Sequence, residues 1–168
     1  MVETTSSEAL DAIDRQILRL LQENGRATNA ALAEAVGLTP TPMLQRIRKL
    51  EQLGVITRYM AVVDPAKVGR PVMAFVHVTL KSHGLQNHQR FLEQIDGLPE
   101  VLECHHIAGE EDFLLKIAVR DIAEVESFLL HRLSTSDVIG RVKTTFILST
   151  RKAMSPIATD PIEKEEEQ

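Results

Sequence analysis

The hydrophobic spacing of this chain changes period between residues 55 and 71, and that change restricts the fold more than any other feature of the sequence. Before it, apolar residues recur at steps of three and four, the spacing of one face of an α-helix. After it, strand-like alternation at a step of two enters, interleaved with two further helical stretches. One packing scheme cannot serve both patterns, so two units of different class are expected, with a boundary near residues 62–70.

In the first unit Leu10, Ile13, Ile17, Leu20 and Leu21 predict a helix over 12–23, with Asp11 and Asp14 placed to cap its start and Asn24-Gly25 to end it. Thr28 is placed to cap a second, short helix through Leu32, Ala35 and Val36, stopped by Gly37. Thr41 and Pro42 then supply an N-cap and a first-turn proline for a third helix, whose stripe Leu44, Ile47, Leu50 and Leu53 ends at Gly54. Three such helices with a tight Gly-Leu-Thr turn between the second and third have the lengths of a helix-turn-helix unit. The third helix would leave Met43, Gln45, Arg46, Arg48, Lys49 and Gln52 around its exposed sides. Arginine can read guanine bidentately in the major groove, glutamine can read adenine, and lysine or arginine can hold phosphate. A solvated charged face is the blander account of the same residues, and the turn, proline and basic face in succession favour double-stranded DNA.

The segment VITRYMAVVD reads as an extended connector, and Asp64-Pro65 with Gly69-Arg70-Pro71 as linker. Strands are expected over 72–80, 101–107, 113–119 and 138–148, with helices over 85–95 and through Val125, Phe128, Leu129 and Leu133. The order βαββαβ predicts a four-stranded antiparallel sheet with both helices on one face. Its other face would be apolar and uncovered, and a second copy of the chain would bury it, so at least a homodimer is expected. The tail from Ser155, SPIATDPIEKEEEQ, combines two prolines with a terminal acid run and is expected to be disordered. The domains are therefore 8–60 (helix-turn-helix), 61–70 (linker), 71–152 (the sheet-and-helix assembly domain) and 153–168 (acidic tail).

Formal charge is minus 5 over the 168 residues, which argues against an acidic partner until the distribution is considered. Residues 8–60 balance at plus 1, residues 71–150 at minus 4, and Thr39–Arg58 holds four bases against one acid. A polyanion would dock at that local excess. No apolar run approaches the ~20 residues of a membrane span, and the N-terminus lacks a secretory pattern, so a cytoplasmic location away from membranes is expected. One cysteine, Cys104, excludes an intramolecular disulfide and a Cys-rich zinc site. In Cys104-His105-His106, strand alternation gives Cys104 and His106 one face, too few ligands for a closed zinc site, and no metal or other cofactor is expected. There is no Gly-x-Ser-x-Gly elbow, phosphate loop or dinucleotide fingerprint, so an enzyme is not expected. Two rivals stay open: a small-molecule-binding or catalytic βαββαβ protein whose helical unit serves assembly, and a metal sensor using Cys104 and His106.

The runs LDAIDRQILRLLQENGR, LAEAVGLTPTPMLQRIRKLEQLGVI and VLECHHIAGEEDFLLKI resemble, in order and spacing, the Lrp/AsnC (leucine-responsive, feast/famine) family of transcriptional regulators, over about residues 8–152. The resemblance implies an α+β architecture: an N-terminal winged-helix-like helix-turn-helix for DNA and a C-terminal ferredoxin-like βαββαβ domain. That second domain would assemble dimers into tetramers or octamers and bind a small effector, commonly an amino acid, between subunits. Carried over by position, the DNA contacts are Thr39, Thr41, Gln45, Arg46, Arg48 and Lys49, with Arg46 and Arg48 foremost. Met43 stands where the family commonly has Cys or Val, and Gln45 where a Glu is frequent. The effector loop maps to Gly109-Glu110-Glu111-Asp112-Phe113, with Glu110 departing from the usual Asp, and Leu98, Glu100, His106, Thr144 and Thr145 are added around it. A turn with exposed N–H groups can hold a carboxylate, and Asp112 an ammonium.

Overall fold

A computed structural model of the chain describes residues 10–82 and 84–160. Residues 8 and 9 of the expected first domain, His83, and the acid run after residue 160 lie outside the described residues. The chain divides into two compact units, one comprising the N-terminal residues to Ala61 with those from Lys152 onward, the other Val62–Arg151.

The first unit is built on helices α1 (Ala12–Glu23), α2 (Asn29–Val36) and α3 (Pro40–Gln52). Asp11 caps α1 by accepting from Asp14 N–H while the Asp14 carboxylate accepts from Asp11 N–H, a reciprocal box that satisfies two otherwise orphaned donors. Thr28 caps α2 as expected, and Gly37 closes it at φ 71°, in the left-handed region where a side chain would be strained. The third helix starts two residues earlier than the Thr41-Pro42 signal suggests: Thr39 is its N-cap, and both prolines fall in the first turn. The first-turn N–H groups have no intrahelical acceptor, so neither proline removes a helical bond. The buried stripe is Met43, Ile47 and Leu50, with Leu44 half-buried and Leu53 exposed, so Met43 leaves the exposed face on which the sequence placed it. With Ile17, Leu18, Leu32 and Ala33 these residues form the core of the unit.

The expected tail disorder does not hold at its start. Gln22 on α1 donates its amide to Ile157 C=O and accepts from Ile157 N–H, at 3.0 and 2.7 Å. Arg15 donates to Thr159 C=O, and Arg19 pairs with Asp160 at 3.0 Å. Backbone groups that would otherwise need water are thus satisfied along the α1 surface.

The second unit follows β1 (Val72–Leu80), α4 (Leu85–Asp96), β2 (Val101–His106), β3 (Phe113–Val119), α5 (Ile122–Phe128, continued by a π turn at Leu129–Leu133) and β4 (Ile139–Phe146). The strands form one antiparallel sheet in the order β2-β3-β1-β4. Ala74, Val76, Val78 and Leu80 of β1 and Phe113, Leu115, Ile117 and Val119 of β3 pack with Phe91 and Ile95 of α4 and Val125 and Phe128 of α5 into a single core. Each large aliphatic buried there contributes ~1.5–3 kcal/mol. The opposite face is apolar at Met73, Phe75 and Leu114, which are half-buried, and at the buried Ala118, but carries His77, Lys116, Lys143 and Thr145 beside them, and so is not apolar throughout as expected. Lys116 pairs with Glu103 at 2.7 Å and Lys143 with Glu111 at 3.2 Å around that patch.

Candidate functional site

On α3, residues Thr41, Gln45, Arg48 and Gln52 are spaced by four, three and four, which aligns them on the side opposite Met43, Ile47 and Leu50. All four are exposed, as are Thr39 at the N-cap and Lys49, one turn after Gln45. The tight turn after α2, fixed by Gly37 and by Leu38 N–H donating to Ala33 C=O at 2.8 Å, sets where this outward face begins. A convex face carrying a guanidinium, an ammonium and a carboxamide, on a rigid helix, has the dimensions and donors of a major-groove reader.

Arg46 occupies a different environment. It sits on the flank of α3, and its Nη1 donates to Asp11 Oδ2 at 2.6 Å and Asp14 Oδ1 at 2.7 Å. Each carboxylate divides its oxygens, one serving the α1 capping box and the other Arg46. Asp14 is buried, and the Asp14 N–H bond followed by the Arg46 bond holds the Asp11 carboxyl below its ordinary range. The Asp11/Asp14 spacing showed the cap, but nothing local in the sequence showed that the same two acids also face α3.

In the second unit Gly109, Glu110, Asp112, Phe113 and His106 come together at the β2–β3 turn, which Ile107 N–H closes onto Asp112 C=O at 2.9 Å. Glu110 and Gly109 are exposed, whereas Asp112 is buried and accepts from Leu80 N–H at 2.7 Å. Phe113 is a core residue carrying His106 at 5.1 Å and His88 at 5.2 Å between ring centroids. His88 was not anticipated; only the fold brings α4 over the end of β2. Glu111, which the sequence placed in the loop without a role of its own, accepts from Lys143 and lies 3.8 Å from His77. The Lys143 bond first, and then charge attraction, lowers its carboxyl.

The remaining positions do not join that cluster within one protomer. Leu98 and Glu100 precede β2, while His106 ends it, a separation of about 17 Å along a strand of this length. Glu100 is buried, and its Oε2 has no hydrogen-bond partner among the described residues. Thr144 pairs opposite Val76 and Thr145 opposite Phe75, on the two different faces of the sheet. Cys104 is half-buried beneath α4, and burial raises its thiol pKa. Among the described residues no three His, Cys, Asp or Glu side chains converge to hold a metal ion. No helix among them is long and apolar enough to cross a membrane.

Comparison with known proteins accounts for both units. Residues 10–57 match the winged helix-turn-helix DNA-binding model and residues 73–157 the Lrp/AsnC ligand binding domain model. The chain belongs to the Lrp/AsnC family of transcriptional regulators. The transcriptional regulator AldR of Mycolicibacterium smegmatis is 34% identical over 148 residues, spanning 88% of this chain and 86% of that one. The leucine-responsive regulatory protein of Haemophilus influenzae is 41% identical over 128 residues, spanning 76% of this chain and 77% of its own. Among solved structures, an L-methionine complex of a transcriptional regulator from Neisseria meningitidis superposes with a TM-score of 0.82 at 33% identity, covering 88% of this chain and 96% of the other. As an Lrp/AsnC regulator the chain joins a DNA-binding helix-turn-helix to a ligand-binding βαββαβ domain, an α+β architecture.

Proposed function

We propose that this regulator reads duplex DNA through the outward face of α3, with Thr39, Thr41, Gln45, Arg48 and Lys49 as its contacts. The observation that carries the reading is the alignment of Thr41, Gln45 and Arg48 opposite the buried Met43, Ile47 and Leu50. Arg48 and Gln45 are the base-edge readers; Lys49 and the two threonines hold the backbone. Two chains pair through the Met73, Phe75 and Leu114 patch, placing two α3 helices on half-sites about 34 Å apart. Pairs assemble further into tetramers or octamers, in the cytoplasm, and the protein carries no catalytic activity.

The effector is an amino acid, a class supported by the leucine-responsive relatives and by the methionine bound to the Neisseria regulator. It binds between subunits beside the Gly109–Phe113 turn, where the loop N–H groups face its carboxylate; Asp112, expected to hold the ammonium, is buried and bonded to Leu80 N–H, which leaves that role to the exposed Glu110. Residues His106, Leu98, Glu100, Thr144 and Thr145 reach one site only by contributions from more than one subunit, since they do not converge within one. A thermal-shift screen of the full chain against the twenty amino acids tests this. A ligand at 100 times its Kd adds about 2.7 kcal/mol to native stability, and no shift with any of them overturns the effector assignment. Arg48→Ala is expected to weaken binding to a duplex enriched by the wild-type protein from a random pool by ~1–3 kcal/mol.

A further inference from the structure

We infer that Arg46 is a positioning residue for DNA recognition, holding α3 at a set rotation against α1, and is not itself a groove contact. The inference rests on the reading that α3 enters the major groove. Arg46 stands three positions after Met43 and four before Leu50 and so flanks the buried stripe, away from the Thr41, Gln45 and Arg48 line. Its guanidinium bridges Asp11 and Asp14, whose other oxygens close the α1 capping box, so one cation joins the start of α1 to the middle of α3.

The apolar stripe determines which side of α3 faces inward, but hydrophobic contact is non-directional and tolerates rotation and sliding. Two charge-assisted bonds of fixed length on the flank do not. They define the angle at which Gln45 and Arg48 leave the unit, and base-edge hydrogen bonds are sensitive to displacements of a fraction of an ångström. For Arg46 to reach DNA it would have to abandon Asp14, a buried carboxylate, leaving it without its cation.

The test uses the full chain, a duplex enriched by the wild-type protein from a random pool, and a scrambled duplex of equal length. Affinities are measured by fluorescence anisotropy over a salt series, at a temperature where circular dichroism shows every variant folded. Arg46→Ala is expected to lower the ratio of selected to scrambled affinity about tenfold, with the salt slope on the selected duplex unchanged. Asp14→Asn, which removes the anchor without touching Arg46, is expected to reproduce the loss, and the double variant to be no worse than either single one. Arg46→Lys recovers part of the ratio. The inference is overturned if Arg46→Ala weakens both duplexes alike and reduces the salt slope by about 1, as loss of a phosphate contact would. It is overturned equally if Asp14→Asn strengthens binding by releasing the guanidinium, or if the variants melt earlier yet keep the wild-type ratio. Arg48→Ala is the internal reference: its indifference would remove the groove placement itself and this inference with it, whereas a loss at Arg48 beside no change at Arg46 removes the inference alone.

Discussion

The backbone N–H of Leu80, the last residue of β1, donates to a carboxylate oxygen of Asp112 at 2.7 Å, while Asp112 N–H donates to Val78 C=O at 2.9 Å. The turn that carries the candidate effector loop is therefore stapled to the neighbouring strand by a buried acid. This relationship changes what a substitution at Asp112 reports. Asp112→Ala is expected to cost ~1–3 kcal/mol of stability, because Leu80 N–H is left unsatisfied in a buried setting. Asp112→Asn, which keeps an acceptor, is expected to cost less. Urea denaturation followed by circular dichroism measures both, and equal stability of the alanine variant and wild type would contradict the staple.

Gly37 is expected to resist substitution for a backbone reason. At φ 71° it ends α2 and starts the turn into α3, and the space around it is open, so the penalty is conformational and not steric. Gly37→Ala should cost ~1–2 kcal/mol, read as a lowered melting temperature, whereas Gly84→Ala, at an ordinary φ of −72°, should cost less.

Acid should loosen both units through named carboxyls. Asp11 is held below its ordinary value by the Asp14 N–H and by Arg46, and Glu103 by Lys116 and His105. In each case the unfolded chain binds the proton more readily, so the stabilisation is present above the unfolded carboxylate value and is lost as pH falls through the lowered folded one. Thermal melts between about pH 6 and pH 3 should show stability falling with acid, and Asp11→Asn should flatten that fall. A wild-type profile that the variant leaves unaltered would contradict the assignment.

Much of this structure was legible locally, and the exceptions have a common cause. Thr28 and Gly37 announce the ends of α2 because capping chemistry depends on adjacent backbone alone. The β1 alternation announces its two faces because the period of a strand is fixed. The start of α3 was misplaced since two prolines and two threonines alternate there, and either threonine satisfies the local rule. Met43 was left out of the core because the stripe was read at steps of three through Leu44 and Leu53, whereas the buried residues step by four and three from Met43. Arg46 reads as a basic groove residue until Asp14, thirty-two positions earlier, is brought beside it by the fold. The docked tail was missed because Ile157 and Thr159 contribute mainly backbone groups, and their partners Arg15 and Gln22 lie at the other end of the chain. At the candidate effector site the β2–β3 turn was legible from the strands on either side and its effector role only from the family resemblance, whereas strand alternation alone already put Thr144 and Thr145 on opposite faces.

The tail contact gives a prediction of its own. A chain ending at Met154 loses the Gln22–Ile157 pair and the Arg15 and Arg19 contacts, most of them solvent-exposed. Its first unit should be destabilised by about 1 kcal/mol. Gln22→Ala should reproduce part of the loss in the full chain, measured by hydrogen exchange of the α1 amides, and unchanged exchange in both would contradict the docking.

The most direct test of the account is the salt dependence of DNA affinity in the wild-type chain and in Arg48→Ala, measured by anisotropy on the selected duplex. Log affinity of the wild type is expected to fall steeply and linearly with log salt. For the variant the expected result is a loss of ~1–3 kcal/mol if Arg48 reads a base, or a slope shallower by about 1 if it holds a phosphate. Affinity and slope both unchanged in Arg48→Ala would contradict the placement of α3 in the groove.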